Sequence, residues 1–350
     1  MRFILLTLAA VMSLACACSP DEQKSETQSQ PEVAVFAKGA DISWVTKMES
    51  EGMKFYNAAG AEKDCFELMK NIGFDAIRLR VWVNPVDGWC NKTDVVNKAV
   101  RAKNLGMRVM IDFHYSDVWA DPGQQNPPVS WKMYNADQMA AAVMSHTSDV
   151  LQALKDNEVN VEWVQVGNEV NQGMLLPSGL VNGSSTGSFI KYFNSGHDAV
   201  KRIYPDAKVI LHVSNGHDSG LFTWFFDLMR NGGARYDVIG MSLYPVWWDN
   251  STNGWTSDWQ TNSTKCINNI KSLIDRYGKP VMLCEVGMPC SQPAMSKAAL
   301  QYILEQTKAI PQCMGVFYWE PQAPEGYNGG YGMGAFQNGR PTIALDPFAN

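Results

Sequence analysis

The 350-residue chain lacks several features that would assign it to common functional classes. Its 29 Lys and Arg residues are outnumbered by 35 Asp and Glu residues, for a formal net charge of −6. This charge gives no electrostatic footprint for nucleic acid or anionic lipid, so we expect no nucleic-acid partner. No C-x-x-C pair or H-E-x-x-H segment is present, which argues against a structural zinc site and a metal hydrolase. We therefore expect no metal and no cofactor.

The chain also lacks an apolar run of the about 20 residues that a membrane-spanning helix needs. Residues 1–18 instead read as a secretory signal peptide. Cys16 and Cys18 lie where bacterial lipoprotein signals place the acylated cysteine, and either one could carry the lipid. We expect an exported cell-surface or outer-membrane lipoprotein, with a plain secreted protein as the alternative. Residues 19–35, rich in Ser, Gln, Glu and Pro, predict a flexible tether.

Six further cysteines could form disulfides in an exported protein. Cys65 and Cys90 are one candidate pair, but the sequence does not choose among the possible pairings. Cys284 has the surroundings of a buried thiol in a strand.

Residues 36–350 show one repeating pattern and no sign of a second domain. Short apolar strands alternate with amphipathic helical stretches, which favours a single (β/α)8 TIM barrel. A doubly wound open sheet is the alternative, but the chain has no G-x-G-x-x-G turn. No helix is obvious after the eighth strand. The predicted strands are 37–43, 76–83, 108–115, 161–169, 207–215, 236–245, 280–289 and 313–321.

Polar residues recur on one face of several predicted strands. In "AIRLRVWV" (76–83), for example, Arg78, Arg80 and Trp82 alternate with aliphatic residues. The apolar face of a barrel strand packs on the helices and the other face points inward. The polar inward residues lie towards the carboxyl ends of the strands, where barrel enzymes have their active sites.

Two glutamates stand at such strand ends. Glu169 ends "VQVGNE" and Glu285 lies in "LCEVG". A buried acid without partners is costly, so a purely structural Glu285 is disfavoured. Two carboxylates facing each other across a cleft are what glycoside hydrolysis requires. Arg80 could hold Glu285 ionised and Tyr244 could fix its rotamer. The alternative for the arginines is a structural salt bridge with Asp41 or Asp112.

Aromatic residues cluster after the same strands and could stack on sugar rings. Trp119 follows strand three, Trp247 and Trp248 follow strand six, and Trp319 ends strand eight. We expect Trp319 to form the pocket floor, and one of Trp247 and Trp248 to be ordinary packing. His114 and His212 are either satisfied core histidines or site residues.

Seven segments together resemble the endo-β-1,4-galactanases of glycoside hydrolase family 53, a family of retaining (β/α)8 enzymes. The resemblance covers nearly all of residues 37–345. The segments are "KGADIS", "RLRVWVNP", "DFHYSDVWADPGQQ", "VQVGNE", "SLYP", "CEVG" and "GVFYWEP".

The resemblance implies roles for individual residues. Glu169 would be the general acid/base, Glu285 the nucleophile, and Asn168 the partner of the sugar 2-hydroxyl. Arg80, Tyr244 and Trp319 would surround the nucleophile. Retention of configuration predicts carboxyl groups about 5–5.5 Å apart, with Glu169 protonated and Glu285 ionised. The remaining expected sugar contacts are Asp41, Asp112, His114, Asp117, Trp119, His212, Trp247 and Trp248.

One segment departs from the family pattern. Several bacterial relatives carry a calcium motif after strand seven, whereas "GMPCSQPAMSKAAL" here has too few acidic oxygen ligands. We therefore expect no calcium at this loop. We expect a monomer acting on neutral galactan, the pectic type I arabinogalactan.

Two other functions stay open at this point. One is another retaining β-glycanase of the same clan, acting on mannan or a β-glucan. The other is a surface lipoprotein that binds glycans without cleaving them, although a binder gains nothing from two closely spaced acids.

Overall fold

A closed barrel of eight parallel strands forms the centre of the computed structural model, which describes residues 35–183 and 185–349. The predicted signal peptide, Cys16, Cys18 and all of the tether except Val35 lie outside the described residues. The strands are β1 (Ala37–Asp41), β2 (Ala76–Val81), β3 (Arg108–Phe113), β4 (Val161–Val166), β5 (Lys208–Val213), β6 (Val238–Leu243), β7 (Val281–Val286) and β8 (Cys313–Trp319).

The barrel closes because β1 pairs in parallel with both β2 and β8. All the remaining pairs join barrel strands that follow one another in the chain. The predicted (β/α)8 barrel is therefore confirmed, and the open doubly wound sheet is wrong. Each strand ends two or three residues before its predicted carboxyl end, so the last residues of the predicted strands belong to the loops at the rim.

Helices connect the strands on the outside of the barrel. Two of them, α1 (Val45–Ser50) and α2 (Cys65–Ile72), lie between β1 and β2. One helix crosses between each later pair of strands. These are α3 (Lys92–Asn104), α4 (Ala136–Asp156), α5 (Gly187–Ile203), α6 (Ser219–Gly232), α7 (Trp259–Tyr277) and α8 (Pro293–Lys308).

Asn135 shows how the sequence sets a helix start. Its side chain accepts hydrogen bonds from the backbone N–H groups of Asp137 and Gln138, while the Gln138 side chain bonds back to the N–H of Asn135. This capping box satisfies donors that the first turn of α4 would otherwise leave unpaired.

The barrel interior has an apolar floor and a polar layer above it. The floor is a separate cluster of buried residues that includes Met110, Trp163, Ile210, Met282 and Phe317. The layer above lies nearer the carboxyl ends of the strands. It consists of the buried side chains Asp41, Arg78, Asp112, Gln165, His212, Ser242 and Glu285. The alternation read from the sequence thus places charged groups inside the barrel, directly beneath its upper rim.

Within the described residues, the chain after β8 forms only short elements. It ends in a 3-10 helix, Ile343–Ala349, whose Phe348 ring lies 4.4 Å from that of Phe74. Two-residue strands form three small hairpins outside the barrel: Phe55–Tyr56 with Glu62–Lys63, Trp248–Asp249 with Gly254–Trp255, and Phe336–Gln337 with Arg340–Pro341.

The cysteines of the described region are all free and buried, so the candidate pair of Cys65 and Cys90 is not formed. Cys90 Sγ lies 3.4 Å from an Arg80 nitrogen and 3.6 Å from the Ser43 carbonyl oxygen. Cys284 is a fully buried thiol in β7, as its apolar surroundings indicate. Among the helices of the described residues, none is long and apolar enough to cross a bilayer.

Candidate active site

Glu285 lies in β7 with its side chain almost fully buried in the polar layer. One carboxylate oxygen accepts a hydrogen bond from Arg78 at 2.9 Å, and the other accepts one from the Tyr244 hydroxyl at 2.9 Å. Both oxygens are therefore held by donors on other strands or loops. This fixes the carboxylate and favours its ionised form.

The arginine that pairs with Glu285 is Arg78, and the expectation for Arg80 is wrong. Arg78 also forms salt bridges with Asp41 at 2.7 Å and Asp112 at 2.9 Å. The alternative expected for the arginines, a structural salt bridge with Asp41 or Asp112, is therefore also found at Arg78. Arg80 points inward too, but it lies two residues nearer the rim. There its guanidinium lies 3.5 Å from Glu320 and 4.2 Å from the centre of the Trp119 ring. Sequence alternation does not distinguish the two positions, because both face inward.

Glu169 follows β4 in the segment Gly167–Asn168–Glu169. Its φ of 45° lies in the left-handed region, which is unfavourable for a side chain other than glycine or asparagine. Strain of this kind is held by the surrounding structure and is common at functional sites. The Glu169 N–H donates to His212 Nδ1 at 3.2 Å, and the nearby Ser242 hydroxyl lowers the pKa of the Glu169 carboxyl. The strained backbone turns the side chain into the barrel mouth.

The two carboxyl groups lie close together. One oxygen of Glu169, one of Glu285 and one nitrogen of His212 are all within 4.8 Å of one another. Both nitrogens of His212 already have partners, Gln165 and Ser242, at 2.9 Å each. No lone pair of His212 is therefore free for a cation, and the three side chains belong to a hydrogen-bonded network.

The environments of the two acids differ. Burial raises the pKa of Glu169, and the nearby charge of Glu285 raises it further. Burial raises the pKa of Glu285 as well, to about 7, because the nearby charges of Asp112 and Asp41 also raise it while the Arg78 guanidinium and the Tyr244 hydroxyl lower it; the pKa of Glu169 is higher, at about 8. Of the two carboxyls, Glu169 therefore keeps its proton to the higher pH.

Supporting groups hold Arg78 and Asn168 in place. Although burial raises the pKa of Asp112, the neighbouring Arg78 and His114 lower it to about 2. Burial lowers the pKa of His114, whose Nε2–H donates to the Asp112 carboxylate at 3.0 Å. Asn168 accepts from Arg78 at 3.0 Å and donates to the Ala120 carbonyl at 2.8 Å.

A cavity of about 340 Å³ opens above the two glutamates. Five tryptophan and tyrosine side chains line its wall, with ring centres 5.2 Å apart for Trp44 and Trp319 and 4.8 Å apart for Trp319 and Tyr331. Such a wall suits a neutral ring with apolar C–H faces. The lining is Trp44, His114, Trp119, Ala120, Asp121, Asn168, Glu169, Tyr244, Glu285, Trp319, Asn328 and Tyr331.

The structure divides the residues expected to contact sugar into three groups. His114, Trp119, Asn168, Tyr244 and Trp319 line the cavity with the two glutamates. Asp41, Asp112 and His212 are fully buried below it. Asp117, Trp247 and Trp248 lie outside its lining.

Each member of that outer group has a definite position. Asp117 accepts from the backbone N–H groups of Asn84 and Val129 and lines a neighbouring groove of about 280 Å³. Trp247 and Trp248 are 54% and 45% exposed near the hairpin after β6. Trp248 packs edge-on against Trp255 with ring centres 5.6 Å apart.

Sequence reasoning missed several residues of the site. Gln165 occupies an inward position of β4, and the alternation of "VEWVQV" could have indicated it. Trp44, Asp121 and Tyr331 lie in loops, and Asn328 lies in the four-residue helical turn Tyr327–Gly330. No periodic pattern marks them, so only the fold brings them to the cavity.

Comparison with known proteins agrees with this geometry. The model of the family described as "Glycosyl hydrolase family 53" matches residues 37–339. The chain belongs to glycosyl hydrolase family 53. It is therefore a glycoside hydrolase, as the paired carboxyls at the barrel mouth indicate.

Relatives within family 53 are similar over most of their length. An arabinogalactan endo-beta-1,4-galactanase of Cellvibrio japonicus is 33% identical over 320 residues, covering 82% of this chain and 80% of the relative. An arabinogalactan endo-beta-1,4-galactanase A of Emericella nidulans is 33% identical over 311 residues, covering 82% and 85%.

Solved structures of the family share the fold. One, from a study of two fungal beta-1,4-galactanases, has a TM-score of 0.81 at 26% identity and covers 90% of this chain and 99% of its own. The family 53 catalytic domain of Ignisphaera aggregans has a TM-score of 0.78 at 26% identity, covering 91% and 96%.

Proposed function

We propose that this protein is a retaining endo-β-1,4-galactanase that cleaves galactan, the backbone of type I arabinogalactan, by double displacement. The observation that supports this mechanism is the short distance between the two acids: one carboxyl oxygen of Glu169 lies within 4.8 Å of one carboxyl oxygen of Glu285. An inverting enzyme needs about 6.5–9.5 Å between the carboxyl groups to fit a water molecule, so the close spacing supports retention. The names of the family relatives support galactan as the substrate.

In the proposed first step Glu285 attacks the anomeric carbon while Glu169 transfers its proton to the leaving glycosidic oxygen. Arg78 and Tyr244 keep the Glu285 carboxylate oriented and available for attack. In the second step Glu169, now ionised, takes a proton from water, and that water displaces Glu285 from the sugar. The higher pKa of Glu169 supports this division of roles.

Asn168 is proposed to contact the sugar 2-hydroxyl. Its Oδ1 accepts from Arg78, and it lines the cavity together with the two glutamates, directly before Glu169 in the sequence. A hydrogen bond to the 2-hydroxyl strengthens in the transition state of glycosidases. Trp319 and Trp119 supply the stacking surface.

The test uses wild-type protein and the Glu285→Gln variant on linear β-1,4-galactan, mannan and a cellulose derivative. We expect wild type to release reducing sugar from galactan, with the β-anomer formed first in the proton NMR spectrum. Glu285→Gln should bind galactan without cleaving it. Equal hydrolysis by both proteins, or α-anomer formed first, would contradict the mechanism. Preferential cleavage of mannan or cellulose would contradict the substrate.

We also propose that the enzyme is exported, anchored to the outer membrane by a lipid on Cys16 or Cys18, monomeric and independent of calcium. The loop between β7 and α8, residues 287–292, contains no carboxylate, which supports the last point. Labelling with a radioactive fatty acid in the Cys16→Ala and Cys18→Ala variants tests the anchor. Activity after dialysis against a calcium chelator tests the calcium prediction.

A further inference from the structure

A chain of hydrogen-bonded, buried side chains leads from Arg78 to Ser242, next to Glu169. The Arg78 Nε donates to Gln165 Oε1 at 2.9 Å, and Gln165 Nε2 lies 2.9 Å from His212 Nδ1. His212 Nε2 is then 2.9 Å from Ser242 Oγ. A Glu169 carboxyl oxygen lies within 4.8 Å of a His212 nitrogen, and the neighbouring Ser242 hydroxyl lowers the pKa of that carboxyl. Arg78, Gln165, His212 and Ser242 are each no more than 1% exposed, so water does not compete for these bonds.

The arginine fixes the direction of this chain. A guanidinium has donors and no acceptor, so Gln165 must turn its oxygen towards Arg78 and its amide N–H groups the other way. Those N–H groups meet Asp112 Oδ1 at 2.9 Å and His212 Nδ1. The amide orientation of Gln165 therefore follows from its two charged neighbours.

His212 Nδ1 must then be an acceptor. The Glu169 backbone N–H, which can only donate, also points at it from 3.2 Å. Asn168 Oδ1 also lies 3.0 Å from this nitrogen, but a proton on Nδ1 would leave the N–H groups of Gln165 and Glu169 facing another donor. Two donors facing Nδ1 place the proton of the neutral imidazole on Nε2. Burial and the nearby Arg78 lower the pKa of His212 well below its usual value, which agrees with a neutral ring.

With its proton on Nε2, His212 donates to Ser242 Oγ, and the hydrogen of Ser242 is left for Glu169. We propose that Ser242 is a positioning residue for Glu169, held as a hydrogen-bond donor by the directional chain from Arg78. This inference rests on the proposed function, in which Glu169 is the acid/base.

The direction has a consequence for the reaction. The Glu169 oxygen that accepts from Ser242 cannot carry the acid proton in that bond, so the proton resides on the other oxygen. That oxygen delivers it to the leaving glycosidic oxygen, and the electron pair of the broken C–O bond becomes the new O–H bond. In the second step Ser242 stabilises the ionised Glu169 before it takes a proton from water.

The main test is the pH profile of kcat/KM on galactan for Ser242→Ala. The Ser242 hydrogen bond lowers the pKa of Glu169, so removing it raises that pKa. The alkaline limb, which reports loss of the acid proton, should move up by about one pH unit. We expect kcat near neutral pH to fall roughly tenfold.

Two further variants separate this role from a structural one. Ser242→Thr keeps the hydroxyl and should restore the wild-type alkaline limb. Ser214→Ala removes another buried rim hydroxyl, one that bonds to Asn171, and should leave the limb in place. The charged and titratable groups that face Glu169 are unchanged in all three variants; they are Arg78, Asp121, His212, Tyr244 and Glu285.

A second measurement does not depend on activity. The chain has five histidines, so 15N-histidine labelling with His212→Gln for assignment can locate the His212 resonances. We expect Nδ1 to show the frequency of an unprotonated ring nitrogen and Nε2 that of a protonated one. A proton on Nδ1, or an imidazolium at neutral pH, would overturn the inference even if the Ser242 variants did not fold.

The outcomes distinguish this inference from the proposed function. If wild type does not cleave galactan, the proposed function fails, while the NMR spectrum still tests the direction of the chain. If wild type cleaves galactan and Ser242→Ala keeps the wild-type alkaline limb, the role of Ser242 is wrong and the proposed function stands.

Discussion

At the scale of single residues, the hydroxyl of Tyr244 should tune the nucleophile. It donates to Glu285 at 2.9 Å and lowers the pKa of that carboxyl. In Tyr244→Phe the pKa of Glu285 therefore rises, and the acid limb of kcat/KM, which reports ionisation of the nucleophile, should move up by about one pH unit. The measurement is a pH series of initial rates on galactan.

Tyr318→Phe is the matched control for this prediction. The Tyr318 hydroxyl is also buried, but it bonds to the backbone of Met288 and Met333 and does not touch a carboxylate. We expect this variant to lose some stability and to keep the acid limb of kcat/KM at the wild-type pH. An equal shift of the acid limb in both variants would mean that Tyr244 acts only through packing.

Arg78 and Arg80 show what the sequence of a single strand predicts about a buried site. Their alternation in β2 correctly indicates two buried, inward-facing cations that need carboxylate partners. Their partners depend on depth in the barrel: Arg78 is level with Asp41, its register partner in β1, whereas Arg80 reaches Glu320 beyond the end of β8. Depth follows from strand tilt and stagger. The sequence of one strand does not contain that information.

At the scale of elements, the segment after β6 should bind parts of the polymer far from the cleaved bond. Trp248 packs on Trp255 within the hairpin, whereas Trp247 is 54% exposed and belongs to neither strand of it. Trp247→Ala should therefore raise KM several-fold for long galactan and leave KM for galactotriose unchanged, since a short substrate does not reach it. Product chains measured by chromatography should change in length as well.

Trp248→Ala is the control within the same hairpin. Because it removes the contact with Trp255, we expect it to lower the resistance of the hairpin to proteolysis. Trp247→Ala should not change that resistance. An equal loss of affinity for long and short substrates in Trp247→Ala would contradict a remote binding role.

Elements and loops differed in how well the sequence predicted them. The eight strands and their inward polar faces follow from alternation, and Glu169 and Glu285 follow from their place at strand ends. Trp44 and Tyr331 line the same cavity but lie in loops after β1 and β8. Their positions depend on contacts between residues far apart in sequence, such as the Trp44 N–H donating to Glu320 at 3.1 Å. Local patterns do not report such contacts.

At the scale of the whole molecule, the site depends on barrel closure. Glu169 follows β4 and Glu285 lies in β7, so their convergence requires the ring of strands to be complete. Arg78 on β2 reaches carboxylates on β1, β3 and β7, and thereby joins opposite sides of the ring. The site and the closed sheet are therefore one structure, and a defect at the seam between β1 and β8 should affect both.

Gly39 tests this dependence because it lies at that seam. A Cβ atom there would come within 2.0 Å of the Phe317 ring, while Phe317 fills the barrel floor. Gly39→Ala should therefore destabilise the protein by about 1–3 kcal/mol or more. Phe317→Ala alone should cost about 3–5 kcal/mol, because it opens a cavity.

The double variant decides whether the clash is the cause. With the ring of Phe317 gone, the added methyl group has space, so Gly39→Ala should cost far less in the Phe317→Ala background. Urea unfolding of all four proteins should give a coupling free energy of about 1–3 kcal/mol in favour of the pair. If the two effects simply add, the Gly39 position is sensitive for another reason, such as backbone freedom, and the seam is not held by this contact.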